Sequence, residues 1–255
     1  MYASILFKAC FGIFIFLALD VHARQIQGRT TLPSDCTASE TWVRDHSKNT
    51  GNWTAYCRAK TGKTQSRNYN FWAPKFKPGR PVLWPFREKS TDWNSKDIQD
   101  VFWAFENIPN NLWSEFIKGI YRMHRSKDHP NPAILHQNNI VLYDPAFQNE
   151  EYLAQILSHE LAHSKFEKFS TLQKMDYAKA ASWKILKNPD GSTAYFPPTK
   201  NLFVQSDGQD SIDEDFSNNI EYFLFYPDTL KEVNPGAYLW IKNHFGENFH
   251  FGRQK

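Results

Sequence analysis

The segment from Asn149 to His163 constrains the fold more than any other. It reads Asn-Glu-Glu-Tyr-Leu-Ala-Gln-Ile-Leu-Ser-His-Glu-Leu-Ala-His. Leu153, Ile156, Leu157 and Leu161 recur at the spacing of one helix face. Asn149 suits an N-cap, and Glu150 and Glu151 complement the positive end of a helix dipole. The spacing predicts a buried helix. On it, His159 and His163 stand one turn apart on the same face. Both imidazoles can reach one metal ion there, and Glu160 projects beside the same ion. Leu161 and Ala162, set between them, argue against two histidines on a solvated face.

A catalytic zinc site needs a third protein ligand and an open position for water. No His follows in the spacing Gly-x-x-His; the chain continues Ser164-Lys165-Phe166-Glu167-Lys168-Phe169. The third ligand should then be a carboxylate on a later helix, and the stretch from Ser211 to Leu224 offers one. Phe216, Ile220, Phe223 and Leu224 make one apolar face, with Glu214, Asn218 and Glu221 opposite. Ser211-x-x-Glu214 is also a capping box, in which Glu214 would only satisfy a backbone N–H. Glu221 could equally be a solvated carboxylate. The residues alone leave the ligand open between Glu214 and Glu221. Asp144, Glu167 and Glu221 are the candidate acceptors that would fix the imidazole tautomers.

The His-Glu-Leu-Ala-His helix is followed some fifty residues later by Glu214-Asp215-Phe216-Ser217, then Glu221-Tyr222-Phe223. This pattern resembles the zincin metallopeptidases of the His-Glu-x-x-His plus Glu type, such as the Mlc titration factor and anthrax lethal factor-like zinc peptidases. The resemblance covers Asn139–Phe169 and Ser211–Pro235 and leaves out the N-terminal region. It implies one Zn²⁺ held by His159, His163 and Glu214, with Glu160 as general base for peptide hydrolysis. Glu221, and more weakly Tyr222, would then stand behind the ligands. One departure matters. The lethal factor places a Tyr for the transition-state oxyanion about two turns before its ligand Glu, and here that position is Asp207. Tyr222, Tyr226 and Tyr195 are the candidate stand-ins.

The N-terminus reads as an address. Lys8 precedes the apolar run Ala9 to Leu19, and Val21-His22-Ala23 supplies small residues at the −3 and −1 positions. A secretory signal peptide cut after Ala23 is expected, placing the mature chain outside the cell or in a periplasm. Cys10 leaves with it. Cys36 and Cys57 remain, and in an exported chain they should pair, stabilising by roughly 3 kcal/mol in the chain-entropy picture. No apolar run reaches about 18 residues, so the mature chain should have no transmembrane segment.

Residues 46–87 contain no Asp or Glu, but nine Lys and Arg interleaved with aromatics. Such a stretch can bind an anionic cell-envelope surface. The plainer alternative is a small disulfide-pinned flap with its charges in water and its aromatics inward. The whole chain carries only +3, which with export argues against a nucleic-acid partner.

Further on, Ile98, Val101, Phe102 and Phe105 predict a helix that ends at Ile108-Pro109. Leu112, Trp113, Phe116, Ile117 and Ile120 predict a second one. Asn139 to Tyr143 predicts a strand, and Asp228 to Gly246 a turn and a last helix. The expected fold is α+β, a mainly helical zincin-like domain over 91–255 with a small sheet, preceded by the signal peptide (1–23) and the basic aromatic region (24–90). The expected function is an exported zinc metallopeptidase acting on a protein or peptide. Two alternatives stand beside it: a cell-envelope binding protein with a structural or degenerate zinc site, and a zinc amidase acting on cell-wall material.

Overall fold

The computed structural model describes residues 32–36, 40–46, 53–59, 67–82, 84–85, 88–124, 131–199 and 202–252. The expected signal peptide lies outside them, as does the side chain of Cys57, and with it the expected pairing to Cys36. The fold is α+β. It comprises helices α1 (Arg67–Trp72), α2 (Ser95–Asn107), α3 (Glu150–Glu167), α4 (Thr171–Ala180), α5 (Ile212–Phe225), α6 (Pro227–Val233) and α7 (Pro235–Phe245) together with a small sheet.

That sheet has the order β3 (Phe76–Lys77), β4 (Gly119–Arg122), β6 (Asn139–Leu142), β5 (Ala133–His136). β3 and β6 both run parallel to β4, while β5 pairs antiparallel with β6 and forms the edge. β5 and β6 are joined by Gln137 and Asn138, both at positive φ, the left-handed pair that a two-residue hairpin requires. Two further hairpins stand apart: β1 (Glu40–His46) with β2 (Trp53–Ala59), and β7 (Lys184–Lys187) with β8 (Thr193–Phe196).

α3 is the central helix. Asn149 caps it, its side chain accepting from the Tyr152 N–H at 2.8 Å. Leu153, Leu157 and Leu161 are fully buried, as are Ala154 and Ala162. The helix packs on α2 and on α5, so polar positions such as Ser158, Glu160 and Ser164 are buried too. The basic aromatic stretch shares this core. Trp72 stacks on Phe105 of α2 with ring centroids 3.7 Å apart, and Trp72 and Phe76 are fully buried. At the other end, Gly236 lets α7 abut α4: a Cβ there would lie 2.0 Å from the Ala180 carbonyl oxygen.

One expected element does not form. Residues 112–120 are not a helix but the end of a short 3₁₀ turn (Asn110–Leu112), a link with a turn at Glu115 and Phe116, and strand β4. Pro109 and two asparagines end α2, and Ile120 is buried by pairing with Phe76 and Ile140. At Gly119 a Cβ would crowd side chains of both neighbouring strands, lying 3.1 Å from Lys77 Cγ and 3.1 Å from Asn139 Oδ1.

Candidate metal centre

Two helices build the centre. α3 presents His159 and His163 from adjacent turns. α5 starts at a Ser211 N-cap, whose hydroxyl accepts from the Glu214 N–H at 3.0 Å. That is half of the expected capping box. The Glu214 carboxylate does not turn back on the helix end. It reaches across to α3, where Oε2 lies 3.4 Å from Nε2 of both His159 and His163. The two Nε2 atoms are 3.0 Å apart. Among the described residues, His159, His163 and Glu214 are the group of ligand-type side chains close enough to hold one metal ion. An ion with tetrahedral bonds of about 2.0–2.1 Å separates its ligand atoms by about 3.3–3.4 Å. The two carboxylate spacings match this and the imidazole pair is slightly closer, so the residues fit such an ion.

Each imidazole is backed by an acid on its other nitrogen. Glu221 Oε2 lies 3.5 Å from His159 Nδ1, and Asp213 Oδ2 lies 3.1 Å from His163 Nδ1. Acceptors placed so fix the tautomer that leaves Nε2 free to bind a cation. Glu221 is buried at 8% exposure rather than solvated, and the Gln205 side chain donates to it at 3.3 Å. Asp213 was not foreseen, because helix periodicity does not tell which of three consecutive acids, Asp213, Glu214 and Asp215, faces a partner helix.

The electrostatics follow from this crowding. Burial opposes the charged form of both imidazoles. Around His159 the carboxylates of Glu214 and Glu221 outweigh it, and around His163 those of Asp213 and Glu214 do, so both pKa values rise. The two imidazoles in turn hold the Glu214 carboxyl well below the usual carboxylate range. Glu160 differs. Burial pushes its pKa up, against the pull of His159 and His163, and it accepts a hydrogen bond from the Leu135 backbone.

The centre opens into a cleft of about 810 Å³. Edge strand β5 and the residues just before it form one wall, and the segment from Gln205 to Glu214 forms another. Asp207 lines the cleft and accepts from the Asn218 amide at 2.7 Å. Among the described lining residues there is no Tyr, Lys or Arg. Tyr222 packs its ring on Tyr226, the Tyr226 hydroxyl accepts from Gln155, and Tyr195 sits in β8, so none of the three lines the cleft. Of the other candidate acceptors, Asp144 is engaged by Arg122 at 2.7 Å and His124 at 3.5 Å. Glu167 lines the cleft but lies 3.4 Å from Lys168.

No protein-family model, curated protein or solved structure matches this chain. The centre is therefore read from its own residues and distances. Among the described residues no helix is long and apolar enough to cross a membrane.

Proposed function

We propose that the chain is a zinc metallopeptidase of zincin type, exported through a signal peptide cleaved after Ala23. The observation that carries this reading is the convergence of His159, His163 and Glu214 on one point, with buried Glu160 between the two histidines in sequence and facing the same cleft. Two imidazoles and one carboxylate are a donor set suited to Zn²⁺. Bound there, the ion would polarise a carbonyl and lower the pKa of a water towards about 7.

The protein's own groups do the rest. Glu160 takes a proton from the attacking water and delivers it to the leaving amine nitrogen. Its raised pKa brings it nearer to both tasks than an exposed carboxylate would be. Glu221 and Asp213 keep the imidazoles oriented. A purely structural site would need the ligands but not Glu160. The edge strand favours a peptide over another amide: β5 lies at the end of its sheet and along the cleft, with its Leu135 backbone held by Glu160, and an extended peptide can add to the rest of such an edge through main-chain hydrogen bonds. The Cys36–Cys57 bond and an anionic envelope surface for residues 46–87 belong to the same proposal for an exported enzyme.

The test is cleavage of a mixed peptide library by the mature chain, with and without chelator and with Glu160→Gln. Cleavage that chelator and Glu160→Gln both abolish supports the reading. Metal bound without any cleavage would favour a structural site.

A further inference from the structure

Successive residues on an α-helix point about 100° apart. With Glu214 turned to α3, the next side chain, Asp215, is driven into the protein, where it is 1% exposed. Its Oδ2 accepts from the Trp183 indole N–H at 2.8 Å and from the Tyr177 hydroxyl at 3.0 Å. Its Oδ1 accepts from the Asn219 amide at 3.0 Å, and the same amide donates to the Tyr177 hydroxyl at 2.7 Å. All four side chains are buried. They come from three segments: α4, the turn that follows it, and α5 itself. Asp215 forms no ion pair among the described residues.

The turn that brings Trp183 in is itself costly. Ser182 has φ +66°, a left-handed position where glycine is the usual residue. The N–H of Ser182 bonds the Lys179 carbonyl and that of Trp183 bonds the Ala178 carbonyl, closing the end of α4 in a Schellman arrangement. The backbone thus takes a disfavoured conformation in the turn that aims this indole at the carboxylate.

A buried carboxylate with no counter-ion is a poor source of stability, and apolar groups of the same shape would fill the space as well or better. What it adds is direction. Three donors from two other segments and one turn of its own helix leave α5 one rotational setting. We infer that Asp215, held by Trp183, Tyr177 and Asn219, is a positioning residue for the centre: it sets the angle at which Glu214 meets His159 and His163. This rests on the reading of that trio as a metal site. Asp215 touches neither the metal nor a substrate. It acts through the peptide unit it shares with Glu214.

The experiment uses the mature full chain, loaded with Co²⁺ for its visible absorption spectrum and titrated with Zn²⁺ for affinity. Wild type is compared with Asp215→Asn, Trp183→Phe and Tyr177→Phe, and with Leu32→Ala, a buried site elsewhere, as a control for lost stability. The expected result is a fall in zinc affinity of about 10–100-fold in Asp215→Asn, in line with other groups that orient metal ligands. A weaker or shifted Co²⁺ band should accompany it. Trp183→Phe and Tyr177→Phe should show smaller changes of the same kind. Leu32→Ala should lower the melting temperature and leave the spectrum unchanged. If Asp215→Asn does not fold, Trp183→Phe and Tyr177→Phe decide between the outcomes. Metal uptake by wild type with unaltered spectra and affinities in the network variants would overturn the positioning role alone. No uptake by wild type would overturn the metal reading and the positioning role with it.

Discussion

α3 meets two unlike neighbours. α2 buries Ile98, Val101, Ala104 and Phe105, and its buried acids Asp97 and Asp100 are each paired with a cation, Arg122 and Lys96. α5 buries Asp215, Ser217, Asn218, Asn219 and Glu221 alongside Ile212, Phe216, Ile220 and Leu224. Among the described residues, Ser158 Oγ, Ser217 Oγ, Asn218 Oδ1 and Asn219 Oδ1 find no hydrogen-bond partner. Burying polar groups unpaired costs free energy that an apolar interface does not. One side of the central helix is thus built for stability, and the other gives up stability to hold a geometry. The histidines and their acids are on the second side.

Substitutions should separate the two sides. The largest effect is expected from Glu160→Gln, which should lower hydrolysis by about 10²–10⁴-fold, as for a lost general base, while zinc stays bound. Parallel assay of rate and metal content checks it. Next, Asp213→Ala and Glu221→Ala should each weaken zinc binding by about 10–100-fold, read by competition with a chromogenic chelator. Phe105→Ala, on the α2 side, should show the converse. It should cost about 3–5 kcal/mol of stability in denaturant, with zinc affinity of the folded protein unchanged. The smallest effect is expected from Ser211→Ala, about 1 kcal/mol for a lost cap.

The pH behaviour of the metal-free protein has a definite sign. The pKa values of His159 and His163 are raised from 6.5 to about 9 and about 10. A raised folded pKa contributes stability that is complete below the unfolded value and is lost as pH rises through the folded one. The metal-free protein should therefore lose this contribution between about pH 6.5 and 10, as urea titrations across that range would show. Zinc must displace these protons, so uptake at pH 7 should release them. Calorimetry in buffers of different ionisation enthalpy measures the number released, and a value of zero would contradict the assignment.

Much of the α5 side was legible in the sequence. The apolar period of 153–161, its Asn149 cap and the two histidines one turn apart are local features, and local features survive folding. Tertiary choices were not legible. Both Glu214 and Glu221 face α3, and only the meeting of the helices shows that one reaches Nε2 and the other Nδ1. Asp213 was hidden for the same reason. Residues 112–120 have apolar positions that suit a helix, yet Ile120 gains more by pairing between β3 and β6. Strand β5 was missed because its four residues carry no strong alternation, and its hairpin signal is two residues long.

The most direct test of the centre is elemental analysis of the mature chain purified without chelator, as wild type, Glu214→Ala and Glu221→Ala. The geometry predicts about one zinc per wild-type chain, little or none in Glu214→Ala, and partial retention in Glu221→Ala. Wild type without zinc that takes up none on titration would contradict the account. So would zinc retained by Glu214→Ala and lost by Glu221→Ala, which would move the third ligand two helical turns along α5.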